Sequence, residues 1–215
     1  MALGQVLLGL FGIVLGANTA INGARRVANA RPKKRPMEIR AGGRVTRLRR
    51  VKSLDERVKH IRQRARRDSL HPDVIVWTRR ALSQKCGPNW CVPEKDTLAE
   101  VRALYDAIRA NVRYTSDVRG VDTYMRPRHT LAARAGDCDD YSSLACAALL
   151  SVGIPCKLKV IRTRGNSTWN HIYALAGVPK HAPTRWIPFD ASVPKQAGWE
   201  APKQMIVAER VFPVG

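Results

Sequence analysis

The stretch AGDCDDYSSLACAALLSVGIPCKL, residues 135–158, determines the fold that we expect for this chain. Asp137 is a favourable N-cap, and the small and apolar residues after it predict a helix that Gly153 and Pro155 end. Cys138 then lies in the first helical turn, where unpaired backbone N–H groups and the helix dipole favour a thiolate over a thiol. The stretch predicts a helix that presents a candidate nucleophile at its start.

The segments on either side of this helix differ in their periodicity. A capping box at Thr97 and Glu100, followed by apolar residues at helical spacing, predicts a second helix, while DVIVWTRRALSQK (residues 73–85) fits either a helix or a strand. Four β-like runs follow the helix of Cys138, namely CKLKVIR, WNHIYALA, RWIPFD and MIVAERVF. Helices followed by strands predict an α+β domain with an antiparallel sheet.

Two of the β-like runs carry residues that could activate a cysteine. His171 lies within WNHIYALA and alternates with Tyr173 and Leu175, while Asp190 ends RWIPFD. Neighbouring antiparallel strands can place a histidine beside an aspartate, with the start of the cysteine helix packed over them. In a triad of Cys138, His171 and Asp190, the imidazole would take the thiol proton and the carboxylate would orient the ring.

Three aspartates surround the candidate nucleophile. Asp137, Asp139 and Asp140 suit a helix N-terminus, but their negative charge opposes ionisation of the thiol. A metal site built from Asp139, Asp140 and His171 is conceivable from residue type, yet no ligand spacing supports one. We therefore expect neither a metal nor another cofactor.

The sequences GDCDDYSSLACAALLSVGIPCKLKVI, NHIYALA and WIPFDAS together resemble the core of the transglutaminase-like superfamily. The resemblance covers roughly residues 98–200. It implies a papain-like core with the nucleophile-bearing helix packed on an antiparallel sheet, and acyl transfer through Cys138 as nucleophile, His171 as base and Asp190 as orienting residue. Tyr114, Trp169 and Asn170 are candidate substrate-binding residues and candidate oxyanion donors, although packing in the core is the safer expectation for Trp169.

The segment VRYTSDVRGVDTYMRPRHTLAARAGDCDD is similar to transglutaminase-like proteins of tailed bacteriophages and prophages. This similarity implies a virion-associated or envelope-associated cysteine hydrolase, a peptidase or amidase that acts on peptide or protein amides. The residues do not separate hydrolysis from crosslinking. An alternative function is that of a non-catalytic structural component of a virion or envelope, in which the domain is a scaffold.

The first 69 residues differ in composition from the rest. Residues 1–24 contain an apolar run that fits a membrane-spanning helix or an assembly-forming helix; a spanning helix would place the following basic arm on the cytoplasmic side of an inner membrane. Residues 25–67 hold 18 of the 38 Lys and Arg residues against 3 acids, so this range carries most of the net charge of +21.

We predict an extended linker at residues 31–50, a basic amphipathic helix that begins after Ser53, and a compact domain at residues 70–215. The N-terminal arm would contact other virion proteins, and residues 25–67 would bind an anionic membrane or nucleic acid. Nucleic-acid binding would lack base specificity, because residues 25–67 contain no Phe, Trp or Tyr for base stacking.

The number of cysteines gives limited information about disulfide pairing. The chain has 5 cysteines, so at least one thiol stays unpaired within a single molecule. We expect Cys86 and Cys91 to be reduced beside a turn, and Cys146 and Cys156 to be buried core residues.

Overall fold

The computed structural model describes residues 53–117 and 123–215 with their side chains, and the backbone of residues 38–41 and 44–47. The expected apolar helix at residues 1–24 lies outside these ranges. No helix within the described ranges has the length and apolar character needed to cross a bilayer. The chain divides into two units, residues 1–49 and 50–215.

In the first unit, the expected linker at residues 31–50 contains a β-hairpin. Strands β1 (Glu38–Ala41) and β2 (Arg44–Arg47) pair antiparallel, from Glu38 opposite Arg47 to Ala41 opposite Arg44. A two-residue Gly-Gly separation between such runs is a hairpin signal, which the high arginine content of the segment obscured. The prediction of an unpaired linker was wrong for these residues.

The second unit begins with helices and ends with strands. The helices are α1 (Leu54–Ser69), α2 (Pro72–Leu82), α3 (Thr97–Asn111), α4 (Pro127–Ala133) and α5 (Cys138–Ser151). Two minor strand pairs are β3 (Lys85–Cys86) with β4 (Asn89–Trp90), and β5 (Arg113–Tyr114) with β6 (Ala135–Gly136). The ambiguous segment after His71 is helical, since Pro72 begins α2 and the His71 side chain caps it.

The main sheet has four antiparallel strands in the order β10–β7–β8–β9. Their bounds are Cys156–Thr163 for β7, His171–Val178 for β8, Arg185–Phe189 for β9 and Ile206–Pro213 for β10. A 3-10 turn at Lys203–Met205 leads into β10. The prediction of an α+β domain with an antiparallel sheet is confirmed.

The core lies between the helices and one face of this sheet. Helix α5 is buried along nearly its whole length, from Asp139 to Leu149, and packs against β7 and β8 on one side and against α1 and α4 on the other. Ile172, Ala174 and Ala176 form the β8 face towards this core. Small residues at 174 and 176 let the helix approach the sheet closely.

Helix α1 is part of this core. Val58, Ile61 and Ala65 are each at most 1% exposed, and the compact unit starts at Arg50 instead of near residue 70 as we expected. The apolar stripe of α1 was recognisable from the sequence, but its partner α5 lies about 80 residues later in the chain. The high charge of α1 therefore suggested an arm where the structure has a core helix.

Helix α3 begins one residue earlier than the expected capping pattern indicated. Its N-cap is Asp96, whose Oδ1 accepts a hydrogen bond of 2.9 Å from the Ala99 N–H. Thr97 is the first helical residue, so the expected capping box at Thr97 was wrong. The helix itself, with Val101 and Leu104 fully buried, was predicted correctly.

The replacement of Ile61 by Ala tests the place of α1 in the core. We expect Ile61→Ala to lower the free energy of unfolding by about 2–5 kcal/mol, because the deletion leaves a cavity under α5. Urea denaturation measures this difference. Lys59→Ala, on the exposed face of the same helix, is the control and should change stability by less than about 0.5 kcal/mol; equal effects of the two variants would contradict the core position of α1.

Candidate active site

The thiol of Cys138 lies at the first residue of α5. Asp137 caps this helix through a reciprocal capping box: its Oδ1 accepts hydrogen bonds from the N–H groups of Asp139 (3.0 Å) and Asp140 (3.2 Å), while its own N–H donates to Asp140 Oδ2 at 3.4 Å. The cap and the helix bounds agree with the sequence prediction. Cys138 is half-buried and is the only one of the five cysteines without a disulfide partner.

The segment before α5 is packed so tightly that it requires glycine. A Cβ added at Gly136 would lie 2.7 Å from the Cβ of Asp140. Asp140 Oδ1 also accepts a 2.8 Å hydrogen bond from the Met125 N–H, so this carboxylate joins the start of α5 to the loop that leads into α4. The position of the thiol is thus set by contacts on both sides of the first turn.

Cys138 meets the sheet at the beginning of β8. A backbone hydrogen bond from Ile172 reaches the thiol, and the Ser142 hydroxyl lies 2.6 Å from the Cys138 carbonyl oxygen and 3.0 Å from the Ile172 carbonyl oxygen. Pairing between β8 and β9 starts only at Ala174. The first residues of β8 therefore have backbone groups available to α5.

His171 and Asp190 are in direct contact. The Nε2 of His171 lies 2.6 Å from Asp190 Oδ2. Asp190 is 5% exposed, and its second oxygen, Oδ1, accepts hydrogen bonds from the Ser192 hydroxyl at 2.6 Å and the Ser192 N–H at 3.3 Å. When Nε2 carries the proton shared with Asp190, Nδ1 of the neutral ring is left as a proton acceptor.

The segment that follows Asp190 is fixed to helix α3. The Tyr105 hydroxyl lies 3.0 Å from the Asp190 carbonyl oxygen and 2.8 Å from that of Lys195, and Arg109 donates to the Val193 carbonyl oxygen. These contacts hold the backbone that presents the carboxylate. Sequence reasoning missed Ser192 and Tyr105, although a serine two residues after an aspartate is a recognisable local hydrogen-bonding pattern.

Helix α5 does not pack over the face of β8 that we expected. Tyr173 and Leu175 belong to a smaller cluster on the opposite face of the sheet, and the His171 ring lies 5.8 Å from the Tyr173 ring. The apolar residues at 172, 174 and 176 face the helix instead. His171 is the first residue of the strand, so it is next to Ile172, where the Cys138 thiol reaches the strand.

The electrostatic environment of the thiol differs from the sequence expectation. Burial raises the pKa of Cys138, and the charges of Asp139 and Asp137 raise it further, while the Ile172 backbone hydrogen bond and the Arg57 charge lower it. The net direction is upwards, so the helix N-terminus does not produce a thiolate at rest. Burial together with the Asp140 charge also raises the pKa of Asp137, from 3.8 to about 6.

The three candidate substrate-binding residues have different surroundings. Tyr114 is 48% exposed and lies against Tyr141, near enough to Cys138 and Asp137 for their charges to raise its pKa, although burial is the larger cause. Trp169 packs against the main core. The Asn170 amide is bound to Thr163, accepting from its N–H at 2.8 Å and donating to its hydroxyl at 3.0 Å.

A cavity of about 200 Å³ opens beside the histidine. It is lined by His171 and Asp190 together with Asn170, Tyr173, Trp199 and Glu200, among other residues. The Glu200 carboxylate accepts hydrogen bonds from Tyr173 and Lys159. No group of three or more His, Cys, Asp or Glu residues within the described ranges has the arrangement of a metal site.

Four of the five cysteines are paired. Cys86 and Cys91 form a disulfide across the β3–β4 hairpin, and Cys146 and Cys156 form a second one between α5 and β7. The expectation that Cys86 and Cys91 are reduced was wrong, because the hairpin brings their Cα atoms to 5.0 Å. Cys146 and Cys156 are buried as predicted, but they are also joined.

Comparison with known proteins gives one family similarity for the segment that contains this site. Residues 88–191 match the model of the transglutaminase-like superfamily. This part of the chain is similar to the transglutaminase-like superfamily. The matched segment contains Cys138, His171 and Asp190 and excludes helices α1 and α2, which belong to the same folded unit.

One solved structure with similarity to the chain is that of a "putative cysteine protease" from Cytophaga hutchinsonii. The two sequences are 18% identical, the match covers 75% of this chain and 52% of that protein, and the TM-score is 0.42. This chain thus corresponds to about half the length of that protein. No match was found among curated proteins.

The carboxylate of Asp137 provides a test of the electrostatics around the thiol. Asn keeps the Oδ1 acceptor that caps α5 and loses the charge, so we expect Asp137→Asn to lower the pKa of Cys138 by about 1. The pH dependence of iodoacetamide labelling measures this change. In Asp137→Ala the cap is lost as well, and this control should be about 1 kcal/mol less stable than Asp137→Asn.

The same variant changes the pH dependence of stability. The folded state binds the Asp137 proton more tightly than the unfolded state, so stability contributed by this group falls as the pH rises from 3.8 to about 6. Asp137→Asn should reduce this downward slope. An unchanged labelling profile together with an unchanged slope would contradict the position of this charge beside the thiol.

Proposed function

We propose that the domain catalyses acyl transfer from a peptide or protein amide through Cys138, His171 and Asp190. The observation that carries this proposal is the 2.6 Å contact between His171 Nε2 and the buried Asp190 carboxylate, at the strand position next to the residue that the Cys138 thiol reaches. The transglutaminase-like match over residues 88–191 supports the same chemistry.

In this reaction the imidazole Nδ1 of His171 takes the thiol proton as the sulfur of Cys138 attacks the amide carbonyl carbon. Collapse of the tetrahedral intermediate breaks the C–N bond, the imidazolium gives its proton to the leaving amine, and a thioester remains on Cys138. Water, deprotonated by the same imidazole, then releases a carboxylic acid and restores the thiol. Asp190 stabilises the imidazolium and fixes its orientation.

The raised pKa of Cys138 means that the thiol needs a general base, the role that we propose for His171. A thiol that is protonated at neutral pH needs a base in contact with its proton before it can attack. Ser192 holds the Asp190 carboxylate, and this carboxylate binds Nε2 of His171. Nδ1 of the same ring can then serve as the base. We favour hydrolysis over crosslinking, which makes the protein a cysteine peptidase or amidase.

Labelling and turnover test this function together. Fluorescein-labelled casein and purified peptidoglycan serve as hydrolysis probes, and monodansylcadaverine incorporation reports crosslinking. We expect turnover of a hydrolysis probe that Cys138→Ser abolishes, and a loss of roughly 100-fold or more in kcat for Asp190→Asn, because the ring loses its orientation and its counter-charge.

Iodoacetamide labelling gives a readout that needs no substrate. Cys138 should react at neutral pH in the wild type, and at least about 10-fold more slowly in His171→Ala, with the guanidinium-unfolded chain as the unactivated reference. Equal rates for wild type and His171→Ala, with no turnover of any probe, would contradict the enzyme proposal and favour a non-catalytic structural component of a virion or envelope.

For location, we propose a virion or the bacterial envelope, as the similarity to phage and prophage proteins implies; anchoring in an inner membrane with the basic arm cytoplasmic is the alternative. The two disulfides support a place outside a reducing cytosol. Virion proteins would contact the N-terminal arm. An anionic membrane or nucleic acid would bind non-specifically through residues 25–67.

The described part of that basic range contributes less charge to such contacts than its composition suggests. On α1, Arg57 donates to the Tyr124 hydroxyl, Arg64 lies over the Tyr124 ring and Arg66 donates to the Val214 carbonyl oxygen. Twelve of the 18 basic residues lie between Arg25 and Lys52, before α1 begins. We assign polyanion contacts mainly to those twelve.

A count of thiols tests the proposed location. Protein trapped with N-ethylmaleimide in the cells or particles that contain it should carry one label, on Cys138, and four more labels only after reduction. Peptide mass spectrometry distinguishes these states. Five labels without reduction would mean a reducing compartment and would contradict a virion or envelope location.

A further inference from the structure

A cation from outside the family-matched segment lies close to the first turn of α5. Arg57 lies on α1, and its Nε is 4.0 Å from Asp139 Oδ2 and donates a 3.2 Å hydrogen bond to the Tyr124 hydroxyl. The side chain of Arg57 is 28% exposed and that of Asp139 only 6%. The guanidinium therefore reaches a nearly buried carboxylate directly after the nucleophile.

This placement follows from the packing of α1 on α5. Val58 and Ile61 are buried against the core, which turns the neighbouring Arg57 towards the first turn of α5. A carboxylate as buried as Asp139 is costly unless a positive charge or hydrogen-bond donors compensate for it. Tyr124 also holds the guanidinium, since its hydroxyl accepts the Nε–H.

We propose that Arg57 is a positioning residue for the nucleophile: it holds Asp139 and offsets the negative charge around Cys138. The inference rests on the proposed function, which supplies the reaction that Arg57 assists. It also gives α1 a role in the active site, although α1 precedes the residues that match the family.

Charged and titratable groups reach the thiol from each element around it. Those that act on it are Asp137 and Asp139 at the start of α5, Arg57 on α1 and Tyr114 on β5. The His171–Asp190 pair lies at the start of β8, beside Ile172. Asp137 and Asp139 disfavour the thiolate, and Arg57 favours it. Removal of Arg57 would take away the positive charge that opposes the effect of Asp139 on the sulfur.

The experiment compares Arg57→Gln with Arg102→Gln in the full chain. Arg102 is an exposed residue of α3, so the control makes the same chemical change away from the site. In Arg57→Gln, the midpoint of the pH profile of Cys138 alkylation by iodoacetamide should rise by about 1 pH unit, and labelling at pH 7 should be about 10-fold slower. Arg102→Gln should stay within about 2-fold of wild type.

Turnover of labelled casein separates positioning from substrate binding. We expect Arg57→Gln to lower kcat and leave KM nearly unchanged, because the residue acts on the sulfur and not on the substrate. Arg57→Lys should restore most of the labelling rate. Labelling profiles of Arg57→Gln and Arg102→Gln that coincide would overturn the proposal.

A second variant covers the possibility that Arg57→Gln unfolds. Arg57→Gln combined with Asp139→Asn removes both members of the pair, so no uncompensated buried charge remains, and it should fold and label within about 3-fold of wild type. Circular dichroism and thermal unfolding verify the fold. Labelling of a folded double variant that is 10-fold slower than wild type would also overturn the proposal.

These outcomes are distinct from a failure of the proposed function. Alkylation reads the thiol directly, so the difference between Arg57→Gln and Arg102→Gln can be measured in a chain that turns over no probe. An effect of Arg57 without any effect of His171 would reject the catalytic triad and keep the charge compensation. A slower alkylation in His171→Ala but not in Arg57→Gln would reject the charge compensation and keep the catalytic triad.

Discussion

The rest of the domain depends on the burial of charged side chains in the first turn of α5. Three carboxylates and a thiol lie within four residues, and Asp139 and Asp140 are each at most 5% exposed. Buried carboxylates need donors or cations. The capping box, the Met125 N–H and the Arg57 guanidinium supply them. The helix start therefore joins two segments that are distant in the chain, α1 and the loop before α4.

The sheet contacts the start of α5 where strand β9 does not pair with the first residues of β8. Pairing of β9 with β8 ends at Ala174, and the chain continues from Phe189 to Asp190, which turns its carboxylate to His171. The uncovered residues at the start of β8 then interact with the first turn of α5 through Ile172. The same local break in the ladder thus orients the imidazole and brings the thiol to the neighbouring residue.

How much of this could be predicted depended on the distance in sequence between the partners. The cap of α5, its stop at Gly153 and the four strands were predictable because each signal is contained in a few consecutive residues. The pairing of His171 with Asp190 was predictable because the two residues lie on consecutive strands. Arg57 was not predictable, since its partner Asp139 is 82 residues away and nothing local distinguishes it from the other arginines of α1. The disulfide between Cys86 and Cys91 was missed although Gly87 and Pro88 mark a turn between them, because a turn alone does not show that the flanking residues pair as a hairpin.

The state of the thiol follows from effects of opposite sign. The helix N-terminus and the Ile172 hydrogen bond favour the thiolate, while burial, Asp139 and Asp137 favour the thiol, and the second group prevails. A protonated thiol exchanges slowly with disulfides, because the thiolate is the attacking species. One unpaired cysteine can therefore persist beside two disulfides in the same domain. In the proposed mechanism its reactivity depends on a base, and His171 lies at the start of β8, next to Ile172.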